Sequence, residues 1–380
     1  MADTEAKFSR PRYLLRWAWQ RWLTKLPCRV RRFDDIFPGS CDYVGGVFAQ
    51  RARFTGVLQR ESGRPFFVRP TRFLAGHATG LASENTAYWT REPDRIAFAM
   101  SGAGIYGNHG RIYDPATRAF VTETSEDWLT AFDRHSALAM PGFPPAARLP
   151  GISLMLGTLG GQTFYHFFVE TLPKAVFLQA YLQQCDHIIV SRYGEEWKRR
   201  WLALWGLEHK AVFVHELSHY VCDQLIFTNR LVRHFEAGPW AVETLRQVPG
   251  LSVNRTLNPR GKVLWLDRTR DHMRPVAWEN DLLAAMPWVE RVRVAELTPA
   301  QAAVLFGQAR AVLGFHGAAF ANMVFCPPGA TVVEIFTEPN YPWYARLAQS
   351  CGHDHAALAV KNEPASLPGL AALLRGAITG

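Results

Sequence analysis

His166, Glu170 and Lys174 recur every fourth residue in the run Phe164-Tyr-His-Phe-Phe-Val-Glu-Thr-Leu-Pro-Lys174. On a helix that spacing places all three on one face. A carboxylate one turn from an imidazole fixes the ring and raises its basicity, so His166 with Glu170 makes an oriented general base; Glu170 itself is the alternative base. The pair is also half of a zinc site, but nothing resembling H-E-x-x-H supplies further ligands. An exposed polar stripe is the plain alternative. The aromatic residues around it point to a cleft instead.

A second group lies in Ala311–Phe336. An apolar strand ends at His316, and Gly317-Ala318-Ala319 then open a helix with no bulky side chain over its first turn. Unpaired N–H groups and the positive end of the helix dipole would face a ligand there, which suits a diphosphate. His316 can donate a hydrogen bond to phosphate or be protonated by it. Small residues at this place also serve tight helix–sheet packing. Glu334 stands in the otherwise apolar strand Thr331–Phe336, so its carboxylate must be paired or face a site. A ribose diol and a structural ion pair are the two candidate partners. Asp267-Arg268-Thr269-Arg270 follows the strand Val263–Leu266, with Arg274 six residues after Arg268. Arginines at the carboxyl end of a parallel strand can neutralise phosphate, although arginines on a surface loop are common.

The elements that must position these residues alternate in type. Predicted strands are Ile152–Leu156, His187–Ser191, Ala211–His215 and Gln224–Thr228, with helices at Thr163–Gln184, Glu195–Trp205 and Pro239–Gln247. A Pro/Asn-rich stretch, Pro249 to Pro259, reads as a linker. Beyond it come strands Val263–Asp267, Arg291–Val294, Ala311–Phe315 and Thr331–Phe336, with helices Val276–Ala285, Thr298–Gln308 and Gly317–Phe325. Thr298-Pro299 is an N-cap followed by a first-turn proline. Such βαβ alternation predicts an α/β fold of two Rossmann-like, doubly wound domains facing a cleft, with ligands at the carboxyl ends of the strands. The expected divisions are 1–40, a basic amphipathic segment; 41–250, a strand-rich segment plus the first Rossmann-like domain; and 251–380, the second. Residues 41–150 hold short aromatic-rich runs such as Tyr43–Phe48, Phe66–Val68 and Ile96–Met100, which read as strands and turns. Gly102-Ala-Gly104-Ile-Tyr-Gly107 matches G-x-G-x-x-G literally, but turn chemistry rather than a helix follows, so it is not read as a dinucleotide site.

Of the formal net charge of +9 on 380 residues, +7 lies in residues 1–33. A nearly neutral remainder argues against a nucleic-acid-binding face. From Ser9 to Pro27 the arginines and the Trp/Leu residues fall on opposite sides of a helix, the pattern of an in-plane membrane-surface helix or of a helix packed on the protein. The six cysteines (Cys28, Cys41, Cys185, Cys222, Cys326, Cys351) form no C-x-x-C pair and read as reduced, mostly buried thiols. No run of 18 apolar residues and no secretory signal is read. The expected location is the cytoplasm, with residues 9–27 able to rest on the inner membrane surface.

His166-x-x-x-Glu170-x-Leu172-Pro173, Leu266-Asp267-Arg268 with Arg274 and Glu279-Asn280, and Gly314-Phe315-His316-Gly317-Ala318 through Asn322, Phe325 and Pro328-Gly329 to Glu334-Ile335 resemble the family 61 glycosyltransferases. The resemblance runs from about Gly151 to Ala357, and the His-Gly-Ala stretch with its Asn, Pro-Gly and Glu is its specific part. It implies an inverting transferase of the GT-B fold, a UDP-sugar donor and no tightly held metal or cofactor. It places Arg268, Arg274, His316, Gly317 and Ala318 at the donor, and Asn322 and Glu334 are read as donor-binding beside them. The acceptor would be a glycan or lipid-linked glycan of a bacterial surface polysaccharide. The usual Arg-x-Ile-x-Asn-Glu pattern reads Arg274-Pro-Val-Ala-Trp-Glu-Asn, with Glu and Asn exchanged, and residues 1–150 carry no diagnostic match. The rival readings are a nicotinamide-dependent oxidoreductase and a non-catalytic glycan- or nucleotide-binding protein.

Overall fold

The computed structural model describes residues 29–31, 56–74, 86–107, 111–116, 119–121, 145–216, 218–232, 236–269, 274–338, 343–360 and 366–379. The basic stretch 9–27, Tyr43–Phe48 and Arg270 lie outside the described residues.

The first sheet is built on four parallel strands: β1 (Ala147–Met155), β2 (His187–Ser191), β3 (Ala211–Val214) and β4 (His219–Thr228), in the order β4-β1-β2-β3. Both faces are covered. Ile152 and Leu154 of β1 and Ile188 of β2 pack with Leu178 and Leu182 of the following helix, while Met155 and Ile189 join a second buried cluster. That explains their near-continuous apolar runs. The far edge of β4 pairs antiparallel with Arg95–Ser101 and then Gly104–Tyr106. The literal G-x-G-x-x-G therefore spans a break between two strand segments and the first strand of a hairpin with Arg111–Asp114. Gly102 and Gly107 take φ of +67° and +78° at its turns, a side chain on Gly104 would run into the Tyr113 ring, and the next element is the strand Arg111–Asp114.

The second sheet contains β5 (Lys262–Leu266), β6 (Glu290–Val292), β7 (Ala309–Phe315), β8 (Thr331–Phe336) and β9 (Asp354–Ala359), all parallel, in the order β6-β5-β7-β8-β9. Arg72–Phe73 adds a parallel strand beside β9. The second sheet thus takes its last strand from the N-terminal region, which a division at residue 250 does not anticipate. In each sheet the chain winds outward on one side of its first strand and then crosses to the other. The switch points fall between β1 and β4 and between β5 and β7, where crevices open at the strand ends.

The helices are α1 (164–182), α2 (Glu195–Leu202), α3 (Pro239–Leu245), α4 (Glu279–Ala284), α5 (Pro299–Phe306), α6 (Trp343–Ser350) and α7 (Leu367–Thr379), with a 3-10 helix at Ala318–Phe325. The capping box read at Thr298 is present: its hydroxyl accepts from the Gln301 N–H, and the Gln301 side chain accepts from the Thr298 N–H. One apolar core joins α1, α2 and α3 to the second sheet. Phe168 of α1 and Trp201 of α2 pack on Phe325 at ring distances of 5.6 and 6.4 Å. Among the described residues no helix is long and apolar enough to cross a membrane.

Candidate active site

His166 and Glu170 follow the switch strand β1 of the first sheet. The helix that carries them is not a regular α-helix, as its sequence predicts, but widens into a π-turn over Phe167–Thr171, where the Leu172 N–H reaches back to the Phe167 carbonyl. Pro173 supplies a cause: it has no N–H for the Val169 carbonyl, and its ring crowds that position. His166 Nδ1 donates to Glu170 Oε1 at 2.6 Å. The Thr158 hydroxyl, on the loop after β1, donates to Glu170 Oε2 at 2.8 Å. Lys174, one turn on, donates to the Gly157 carbonyl at 3.0 Å and ties down the same loop. Burial lowers its pKa to about 8 against the opposing pull of Glu170. His166 is 5 % exposed and Glu170 3 %, so this face is not a solvated stripe. With Nδ1 committed to the carboxylate, Nε2 is the basic side of the ring.

A second His–Glu pair lies across the core. His316 Nδ1, at the end of β7, donates to Glu334 Oε1 of β8 at 2.5 Å. His355 Nε2, from β9, donates to Glu334 Oε2 at 3.0 Å. Burial pushes the Glu334 pKa up, but the hydrogen bonds from His316 and His355 outweigh it and hold the group below the ordinary glutamate value. Glu334 is fully buried with both oxygens engaged. Of the two partners expected for Glu334, a ribose diol and an ion pair, the structure shows the ion pair, which orients His316.

Arg268 closes the gap at the β5/β7 switch point. Its Nη1 donates to the His316 carbonyl at 2.6 Å and its Nη2 to the Arg274 carbonyl at 3.0 Å. Glu279 holds this loop from below, accepting from the Arg268 N–H at 3.0 Å and from Trp265 Nε1 at 2.8 Å. The exchanged Glu-Asn order thus leaves a glutamate that is fully buried and structural. A side chain on Gly317 would sit 3.8 Å from the Arg268 stem, so the glycine keeps the space beside the guanidinium clear. The helix expected from Gly317 begins at Ala318 and is a 3-10 helix.

The two pairs are linked by aromatic rings. Tyr165 lies 5.2 Å from the His166 ring and 5.3 Å from Tyr344, which lies 5.4 Å from His316. Burial raises the Tyr344 pKa well above normal, while Arg274 and Arg268 pull it back, which brings both guanidinium groups into the same neighbourhood. The structure therefore gathers Arg268, Arg274, His316 and Gly317 at one end of this chain of rings, and His166 with Glu170 at the other. Asn322 lies apart, fully buried on the 3-10 helix with its Nδ2 donating to the Ala319 carbonyl at 3.0 Å. Among the described residues no group of three His, Cys, Asp or Glu side chains is arranged to hold a metal ion.

Three contributors escape the sequence reading. Thr158 is signalled only by its place just after a buried strand. His355 shows no local signal at all. Lys198 of α2 is fully buried, donates to the Ser191 carbonyl and hydroxyl at 2.8 and 2.6 Å, and lies over the Phe167 and Trp197 rings.

Residues 164–333 match the family model of glycosyltransferase 61. That stretch contains His166, Glu170, Arg268, Arg274 and His316 and stops one residue short of Glu334. The likeness supports a glycosyltransferase, an enzyme that in general takes a nucleotide-sugar donor and a glycan acceptor. No curated protein matches the chain.

Proposed function

We propose that this chain is an inverting glycosyltransferase of the GT-B arrangement that moves a sugar from a UDP-sugar to a glycan hydroxyl. The observation that carries the reading is the pair of carboxylate-held histidines following the switch strands of two parallel sheets, one of them beside Arg268 and Arg274. In this reading the first sheet unit receives the acceptor and the second the donor. His166 Nε2 takes the proton of the acceptor hydroxyl as its oxygen attacks the anomeric carbon. The bond from that carbon to the diphosphate oxygen breaks, and its electron pair leaves with the diphosphate. Arg268, Arg274, His316 and the first N–H groups of the 3-10 helix meet the charge that develops there. A single in-line displacement inverts the anomeric centre. The acceptor we propose is a lipid-linked or surface-destined glycan, reached at a cytoplasmic membrane surface through the basic, Trp-rich residues 9–27.

The test is the thermal shift of the protein with UDP, GDP, CMP, NAD and AMP, each with and without EDTA. A selective rise with UDP that EDTA leaves unchanged supports a UDP donor held by protein charge alone. A rise with NAD in its place overturns the transferase reading.

A further inference from the structure

Four large apolar side chains stand exposed among the described residues: Phe67, Trp89, Tyr193 and Val304. Two of them face each other. Pro65–Val68 and Tyr88–Arg91 form a two-stranded antiparallel ribbon in which Phe67 lies directly opposite Trp89, with the rings 5.3 Å apart. Alternation divides the ribbon into two faces. Phe66, Val68, Tyr88 and Thr90 are buried or half-buried, whereas Pro65, Phe67, Trp89 and Arg91 are exposed. A ribbon with one face on the protein is expected to be polar on the other. Here the outer face carries a tryptophan that is 72 % exposed, so folding gains little from its ring.

The ribbon is firmly mounted. The Tyr88 hydroxyl donates to Glu236 at 3.1 Å, and Glu236 pairs with Arg346 of α6 at 2.8 Å. At one end the Gly63 N–H donates to Asp94 at 2.9 Å and Arg91 Nε donates to the Gly63 carbonyl at 3.0 Å. Positive charge dominates around the aromatic pair. Arg60, Arg64, Arg69 and Arg91 are exposed on the ribbon and its approaches. Of the carboxylates there, Glu61 is exposed, Asp94 is half-buried between Arg60 and Arg91, and Glu92 is buried against Arg95. The alternate residues of the outer face, Pro65, Phe67, Arg69, Trp89 and Arg91, include no carboxylate and no side-chain amide.

We propose that this face rests on an anionic lipid surface. The Trp89 and Phe67 rings would lie at the boundary of headgroups and acyl chains, and the arginines would meet lipid phosphates. The contact belongs to the folded body and adds to that of residues 9–27; it deepens the membrane reading above and rests on it. A glycan is the other ligand that exposed aromatic rings take. Sugar hydroxyls call for carboxylate or amide acceptors, which this face lacks, and the two rings are tilted by 55° instead of forming one platform. A lipid surface asks only for apolar side chains and positive charge. Helix α6, which holds the ribbon through Arg346, also carries Tyr344 beside His316, so the contact would fix the candidate active site relative to the surface.

Co-sedimentation of the full chain with phosphatidylcholine vesicles, with and without phosphatidylglycerol, tests this. The variants are the double Phe67→Ser, Trp89→Ser, the single Arg69→Ser, and Val304→Ser, which removes an exposed apolar side chain from α5. The parent protein should bind the phosphatidylglycerol vesicles selectively. The double variant should bind them at least about tenfold more weakly. Arg69→Ser should cost about fivefold, and it keeps the test open should the double variant fail to fold. Val304→Ser should bind as the parent does. Unchanged binding by the double variant or by Arg69→Ser overturns the ribbon contact, leaves the membrane reading to residues 9–27, and assigns the aromatic face to a glycan or a protein. An equal loss in Val304→Ser overturns it too, because any exposed apolar side chain would then serve. Equal binding to both kinds of vesicle removes the anionic surface. A parent protein that binds neither removes the membrane reading and this proposal together.

Discussion

The molecule uses one device twice, a histidine whose Nδ1 is held by a buried glutamate, and surrounds it differently each time. In the first unit the second oxygen of Glu170 meets a neutral hydroxyl, Thr158, and the pair sits on a π-turn among aromatic rings. In the second, the second oxygen of Glu334 meets another imidazole, His355, and Arg268 and Arg274 stand beside His316. In the proposed function the same pair serves opposite tasks. An imidazole backed by a carboxylate whose other oxygen meets a neutral hydroxyl is suited to accept a proton. One backed by a carboxylate and flanked by arginines is suited to hold an anion. Similar local geometry does not fix a role; the charges beyond it do.

The largest expected effect lies on the first pair. His166→Ala should lower turnover by about 10³-fold, within the range of a lost general base, while UDP affinity stays unchanged. Glu170→Gln keeps an acceptor for Nδ1 but removes the charge that makes the ring basic, so a smaller fall in turnover is expected. Near-normal turnover of His166→Ala under saturating donor would move the base elsewhere and dissolve the contrast.

The second pair should respond in stability before turnover. Glu334→Gln leaves two buried imidazole donors facing a neutral amide, at a cost of about 3 kcal/mol in denaturant unfolding, with a raised KM for the donor. Because the folded-state pKa of Glu334 lies below its ordinary value, its stabilisation is complete above that value and is lost as pH falls through the folded-state value. If Glu170→Gln and Glu334→Gln shift stability and turnover in the same proportion, the two pairs do not differ in role.

Much of this was legible in the sequence because the carriers are local. The i, i+4 spacing of His166 and Glu170, the apolar runs that end at His316 and Leu266, and the Thr298-Pro299 cap each depend on neighbours a few residues away. The π-turn was not legible, although Pro173 was in view, because a proline near the start of a helical segment is ordinarily harmless. The ion pairs of Glu334 were not legible for a different reason. Its partners come from two other strands: Glu334 pairs with Gly314 on β7 and Ala357 on β9, and His316 and His355 each lie two residues from those positions on the same face. Sheet register fixes that row, and no spacing within one strand encodes it. The Arg72–Phe73 strand escaped for the same reason, being set by pairing across nearly 300 residues of chain.

The smallest effect separates the units by pH. Both lysines that are buried among the described residues, Lys174 and Lys198, belong to the first unit, whereas the second unit holds the buried His353. Burial lowers the Lys198 pKa to about 7, and that of His353 to about 4. For each, the unfolded chain binds more protons than the folded one between the folded and the ordinary value, so stability rises with pH across that window. For His353 the window runs from about 4 to 6.5, and for Lys198 from about 7 to 10.5. Unfolding free energies measured from pH 4 to 10 should therefore show an acid limb owed to the second unit and an alkaline limb owed to the first. Lys198→Met should flatten the alkaline limb, leaving the part due to Lys174, and leave the acid limb intact. Equal slopes in parent and variant above pH 7 would mean that Lys198 keeps its proton in the fold. The carbonyl and hydroxyl of Ser191 would then hold a permanent charge under the first pair, and the contrast in charge between the two units would shrink accordingly.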